Sequence, residues 1–152
     1  MNTTTDVAQV RTRSMAPRRR VHPRSWLSEF VATAALLFSA VTCSRWLFAP
    51  DSALARLVTG VHWRMVIVGL VVGIVLSLLI VSPLGQRSGG HLNLAITIAF
   101  WRLGAFPRRD VAGYVAAQLG GSVAGTALAR LAWGSRASRD RSDSAWCSRK
   151  RA

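Results

Sequence analysis

The sequence predicts an all-α membrane protein with three transmembrane helices and one re-entrant half-helix. Three observations carry this reading. The chain of 152 residues is 51% hydrophobic yet carries a formal net charge of +14. Those facts conflict for a soluble core and agree if apolar runs sit in lipid while charge sits in tails and loops. Three apolar runs, at 26–48, 63–81 and 111–129, each approach the roughly 20 residues that a helix needs to cross a bilayer. A fourth begins at Leu94 and stops at Arg102; about ten helical residues rise ~15 Å, half of a hydrocarbon core of ~30 Å. A segment that short can enter a membrane and turn back where protein or water covers its backbone.

In chain order, residues 1–25 read as a disordered basic arm, broken by Pro17 and Pro23. Arg11, Arg13, Arg18, Arg19, Arg20 and Arg24 precede the first apolar run, and Arg136, Arg139, Arg141, Arg149, Lys150 and Arg151 follow the last. Basic flanks of membrane spans explain these clusters more simply than nucleic acid does, so a bilayer partner is expected, no nucleic-acid partner, and a cytoplasmic N-terminus.

The run 26–48 opens on Trp26 and closes on Trp46 and Phe48, which suit membrane interfaces. Glu29 lies inside it. A carboxylate there either faces protein or snorkels toward the helix end. Thr33, four residues on, shares its helix face. Residues 49–62 read as a loop. In the run 63–81, Gly69, Gly73 and Ser77 recur every four residues and form one narrow small-residue face, either for close helix packing or as a pore-facing groove. Ser82-Pro83 ends that helix, and 84–87 reads as a turn.

Residues 88–93 run Ser-Gly-Gly-His-Leu-Asn. Asn93 is placed to cap the short helix through its side-chain oxygen, and His91 reads as a hydrogen-bonded support of the loop. Arg102, Arg108 and Arg109 return the chain to the cytoplasmic side. The run 111–129 contains Gln118, a polar group that needs a partner when buried, and the close-packing pair Gly121 and Gly125. Residues 135–152 read as a disordered basic tail. The two cysteines, Cys43 and Cys147, sit in an apolar run and a polar tail, so no structural disulfide is expected. His22, His62 and His91 lack ligand spacing, so neither a metal nor a cofactor is expected. With no nucleophile–base pair, paired carboxylates or phosphate loop, the chain does not read as an enzyme.

The stretch Ser88-Gly89-Gly90-His91-Leu92-Asn93-Leu94-Ala95, followed by Ile96-Thr97-Ile98-Ala99, resembles the first pore loop of the aquaporin and glycerol-facilitator (major intrinsic protein) family. That loop reads S-G-x-H-x-N-P-A, then V-T-x-A. It departs at Leu94, where the family usually has proline. Glu29-x-x-x-Thr33 is similar to a motif of the family's first helix, and Tyr114 to Gly121 resembles Y-x-x-A-Q-x-x-G of its third. The resemblance covers about 26–134 and implies one half of the family's inverted repeat. It implies Asn93, Leu94 and Ala95 as the pore motif, with Gly89, Gly90, His91, Glu29, Thr33 and Gln118 supporting the loop. In this register Gly73 takes the place of the family's filter aromatic, which implies a wider path.

A second pore motif and a fourth to sixth span are not found, and three crossings would set the basic tail outside, against the positive-inside preference. The tail is therefore expected to have replaced an ancestral second half by truncation or frame change. The function implied is a channel for water or small neutral solutes, working as a homo-oligomer or with a complementary half. The alternative is a truncated, non-conducting membrane fragment or interaction protein.

Overall fold

The computed structural model describes residues 22–149, the side chains of 135–149 excepted. It contains six helices and, among the described residues, no strand: α1 (Pro23–Phe48), α2 (Ala53–Leu57), α3 (Val61–Val81), α4 (Pro83–Ser88), α5 (Leu94–Arg102) and α6 (Arg108–Arg149). The expected arm at 1–25 lies mostly outside the described residues, but its last residues are helical, because Pro23 sits at the start of α1, where a missing N–H costs nothing.

Helix α1 is the centre of the bundle and packs against α6, α3, α4 and α2, while α5 packs against α6. Paired contacts fix the directions. His22 meets Asp110, and Thr42 meets Trp133, so α1 and α6 run parallel. Arg64 lies over the Phe48 ring, and Ser25 Oγ donates to the carbonyl of Arg87, so α3 runs antiparallel to α1.

Glycine sets the closeness of α1 and α6. A Cβ on Gly121 would run into the carbonyl oxygen of Phe30, and one on Gly125 into that of Ala34. The two glycines, one turn apart, let the backbones touch as G-x-x-x-G does in membranes.

Two helices are long and apolar enough to cross a membrane by length and composition, α1 and α3. Residues 111–129, expected as a third span, lie within α6 and carry no charge, but their glycines, alanines and Gln118 dilute the apolar character. α3 buries none of its residues within the chain. Its leucines, valines and isoleucines are left for another apolar phase, as a lipid-facing helix requires.

Three further expectations change. The stretch 49–62 contains α2, tied down by Arg64, whose Nε donates to Val58 O at 2.6 Å and whose Nη2 donates to Ala55 O. The turn at 84–87 is the helix α4, capped by Ser82. Residues 135–149, expected as a disordered tail, continue α6. No glycine or proline follows Gly134 to stop it, and opposite charges four apart in sequence favour helix.

Candidate functional site

The segment between α4 and α5 leaves one end of the bundle and comes back to it. At the outgoing side, the carbonyl of Arg87 is held by Ser25 Oγ at 3.1 Å. At the returning side, Asp110 in the first turn of α6 accepts from the backbone N–H of His22. Both anchors lie at the start of α1. Between them the loop reaches Gln118, about 12 Å along α6 from Asp110 at 1.5 Å per residue.

Unusual backbone makes the loop possible. Gly89, Gly90 and Leu92 all adopt positive φ, at 88°, 60° and 49°. The first two are free to do so. Leu92 is not, and an L-residue in that region carries a strain of order 1–3 kcal/mol that its surroundings must hold in place. Those surroundings centre on Glu29, which is completely buried. Its Oε1 accepts from Ser88 Oγ at 2.8 Å and from His91 N at 3.0 Å. Its Oε2 accepts from Leu92 N and from Gln118 Nε2, both at 2.9 Å. Successive N–H groups of a loop with positive φ form a concave nest for an anion, and here the carboxylate comes from another helix. Four donors on two oxygens offset the cost of burying it.

A second tier lies beside the first. Gln118 Nε2 also donates to Thr97 Oγ1 at 3.0 Å, and His91 Nδ1 lies 3.1 Å from the same oxygen. With the Thr97 hydroxyl proton given to Asn93 O at 3.2 Å, His91 is the donor in that pair. The His91 ring packs among Phe100, Phe106 and Tyr114. Tyr114 Oη donates to the carbonyl of Ser88, so both sides of the loop are tied to α6.

Asn93 is the N-cap of α5, its Oδ1 accepting from Ala95 N at 2.8 Å. It is exposed, as are Leu94 and Ala95. Among the described residues, the carbonyls of Gly89, Gly90, His91 and Leu92 accept no hydrogen bond. The nine residues of α5 span ~14 Å, about half of a bilayer core.

Glu29, His91 and Gln118 thus meet at one point, with Gly89 and Gly90 in the loop they hold. Thr33 is buried at 1% exposure but its Oγ1 has no hydrogen-bond partner; it packs where a Cβ on Gly121 would come. Gly69, Gly73 and Ser77 lie apart on the outer side of α3. Nothing stands within 4 Å of a Cβ at either glycine, and Ser77 Oγ donates to the carbonyl of Gly73 at 2.9 Å. Ser88, Thr97 and Tyr114 complete the network and were not singled out by residue type, since a serine, threonine or tyrosine in an apolar run carries no chemical signature of its own. Among the described residues, no group of three His, Cys, Asp or Glu is arranged to hold a metal.

Comparison with known proteins places this geometry. The model of the family described as major intrinsic protein matches residues 18–148. Aquaporin-2 of Rhizopus delemar is 35% identical over 109 residues, 72% of this chain and 32% of that protein. The propanediol uptake facilitator PduF of Citrobacter freundii is 36% identical over 109 residues, 72% of this chain and 37% of its own length. Aquaglyceroporin-2 of Trypanosoma brucei brucei is 36% identical over 118 residues, 75% of this chain and 33% of its own. The chain spans about a third of the length of these relatives. No solved structure matches it.

Proposed function

The chain belongs to the major intrinsic protein family, a family of membrane channels and not of enzymes, and we propose that it forms one wall of a pore for water or small neutral solutes. In this reading residues 111–129 of α6 are a third crossing. α5 is a half-helix whose N-terminal end lies in mid-membrane, and Asn93, Leu94 and Ala95 are the pore motif. Glu29, Gln118 and His91 hold the loop. The pore is completed by a second copy or by a complementary half.

One observation supports it above the rest. Four consecutive carbonyls, of Gly89 to Leu92, are unspent among the described residues, and they run directly into Asn93, whose amide nitrogen has no hydrogen-bond partner there either. His91 and Leu92 are buried, and acceptors left open there are costly unless water reaches them. A row of acceptors ending on an amide donor is what a file of water or polyol hydroxyls needs. The N-terminus of α5, positive by its dipole, disfavours cations at the same point. The names of the relatives, an aquaporin, an aquaglyceroporin and a propanediol facilitator, point to the same solute class. In this reading Gly73 lines the path once it is completed, and its lack of a Cβ widens that side toward a small polyol beside water.

Osmotic swelling of proteoliposomes holding the full chain tests this. Water or glycerol flux above empty vesicles, lowered by Asn93→Leu, is expected. Flux equal to that of empty vesicles, with insertion shown by protease protection, rejects intrinsic transport. It would favour the alternative of a non-conducting fragment that packs on other membrane proteins, to which Leu94, Ile96, Ile98 and Phe100, all exposed on α5, would be suited.

A further inference from the structure

At the end of α1 far from the pore loop, two hollows lie side by side. The first, ~260 Å³, is half polar and lined by Arg45, Asp51, Ser52 and Arg56 with the rings of Trp46 and Trp133. The second, ~400 Å³, is mostly apolar and runs along the α1–α6 seam past Val41 and Ala129 to Arg130. Arg45 and Trp133 line both, so the two hollows share a wall.

The wall between them is built, not incidental. Trp133 Nε1 donates to Thr42 Oγ1 at 3.1 Å, and its ring meets Trp46 edge-on at 5.4 Å. Arg45 is held bidentate by Asp51 at 3.0 and 2.9 Å, and this bond keeps the Asp51 carboxyl below the usual carboxylate range. With Asp51 so occupied, Arg56 and Arg130 face the hollows with no acidic partner among the described residues. A cationic, hydrogen-bonding mouth lies beside an apolar groove, between Trp46 near the end of α1 and Trp133 on α6.

We infer that these adjoining hollows bind an anionic phospholipid, its headgroup against Arg56 and Arg130 and one acyl chain along the α1–α6 seam. Charge complementarity and the change from polar to apolar along the site together select an amphiphile over a free anion. Trp46, two residues from the end of α1, sets the mouth at headgroup level, and the guanidinium groups of Arg56 and Arg130 match a lipid phosphate. The inference rests on the membrane location of α1 and α3 and not on conduction, so its failure leaves the pore proposal standing.

The test is native mass spectrometry of the full chain, released from mixed micelles of phosphatidylglycerol and phosphatidylcholine. Preferential retention of phosphatidylglycerol is expected, reduced about fivefold for each of Arg56→Gln and Arg130→Gln and restored by lysine at both positions. Both arginines are exposed, and helix content by circular dichroism confirms that the variants fold. Equal retention of the two lipids, or retention unchanged in the double glutamine variant, overturns the inference. So does full competition by inorganic phosphate, which would reveal an anion site with no role for the chain. A lipid-free dimer that falls apart on the same substitutions would give the face to a second copy instead, and would also overturn it.

Discussion

Glu29 Oε2 accepts the N–H of Leu92 at 2.9 Å across 63 residues of sequence, and Leu92 holds a φ of 49° that leucine rarely adopts. The strain and the bond that holds it are one device. The loop before Asn93 keeps its shape because a buried carboxylate from α1 takes the N–H groups that the strained backbone turns inward.

Glu29→Gln breaks that device. The amide presents hydrogens where the site already supplies only donors, leaving one or more N–H groups buried and unpaired. A loss of about 3 kcal/mol is expected, seen as an earlier midpoint in denaturant titration of the detergent-solubilised chain. Stability equal to wild type would mean that the loop is held from elsewhere.

Thr33→Val should act in the opposite sense. The Thr33 hydroxyl is buried without a partner, so an isosteric methyl removes an unsatisfied group and keeps the packing. A gain of about 1 kcal/mol is expected in the same titration. A loss of similar size would show that the hydroxyl has a partner in the membrane.

Leu94→Pro should be tolerated, although proline inside a helix ordinarily breaks it. Leu94 is the first residue of α5, its N–H makes no hydrogen bond among the described residues, and Asn93 before it is extended, at φ −151° and ψ 132°. A preceding extended residue is what proline requires, and a fixed φ lowers the entropy of the unfolded chain. Stabilisation by roughly 0.5–1 kcal/mol is expected. Loss of helix content would show that the start of α5 lies elsewhere.

The glycines divide by surroundings. Gly125→Val drives a side chain into the backbone of Ala34, and Gly73→Val meets open space. The first should lower stability by about 1–3 kcal/mol or abolish folding, and the second should leave it unchanged or raise it by a few tenths of a kcal/mol, about the gain in helix propensity from glycine to valine. Equal effects, measured by thermal aggregation in detergent, would contradict the α1–α6 packing.

Much of this was legible in the sequence for reasons that are local. Asn93 stands between a glycine pair and an apolar run, so its role as a cap follows from position alone. Glu29 and Gln118 are polar residues in apolar stretches, which marks them as needing partners, but the sequence does not say that they meet each other. The strain at Leu92 was invisible, because leucine there looks like any other apolar residue. Ser88, Thr97 and Tyr114 carry no signature by residue type and stand out only as positions of the motifs that resemble the family's. The extension of α6 through 149 is hidden by a charge density that reads as disorder; the absence of glycine and proline after Gly134 matters more. The outward face of Gly69, Gly73 and Ser77 has no neighbour in the described chain to decide between packing and pore lining.

The most direct measurement is the aqueous accessibility and depth of position 93. In the full chain in liposomes, Asn93→Cys should react with a small water-soluble thiosulfonate, more slowly than Gly104→Cys in the returning turn and far faster than Leu70→Cys on the apolar face of α3, with Cys43 and Cys147 replaced by serine throughout. A spin label at 93 should report a depth near the middle of the hydrocarbon core. A reaction rate equal to that at 104 with a label in bulk water, or no reaction with a label surrounded by lipid, would contradict the half-helix and the pore built on it.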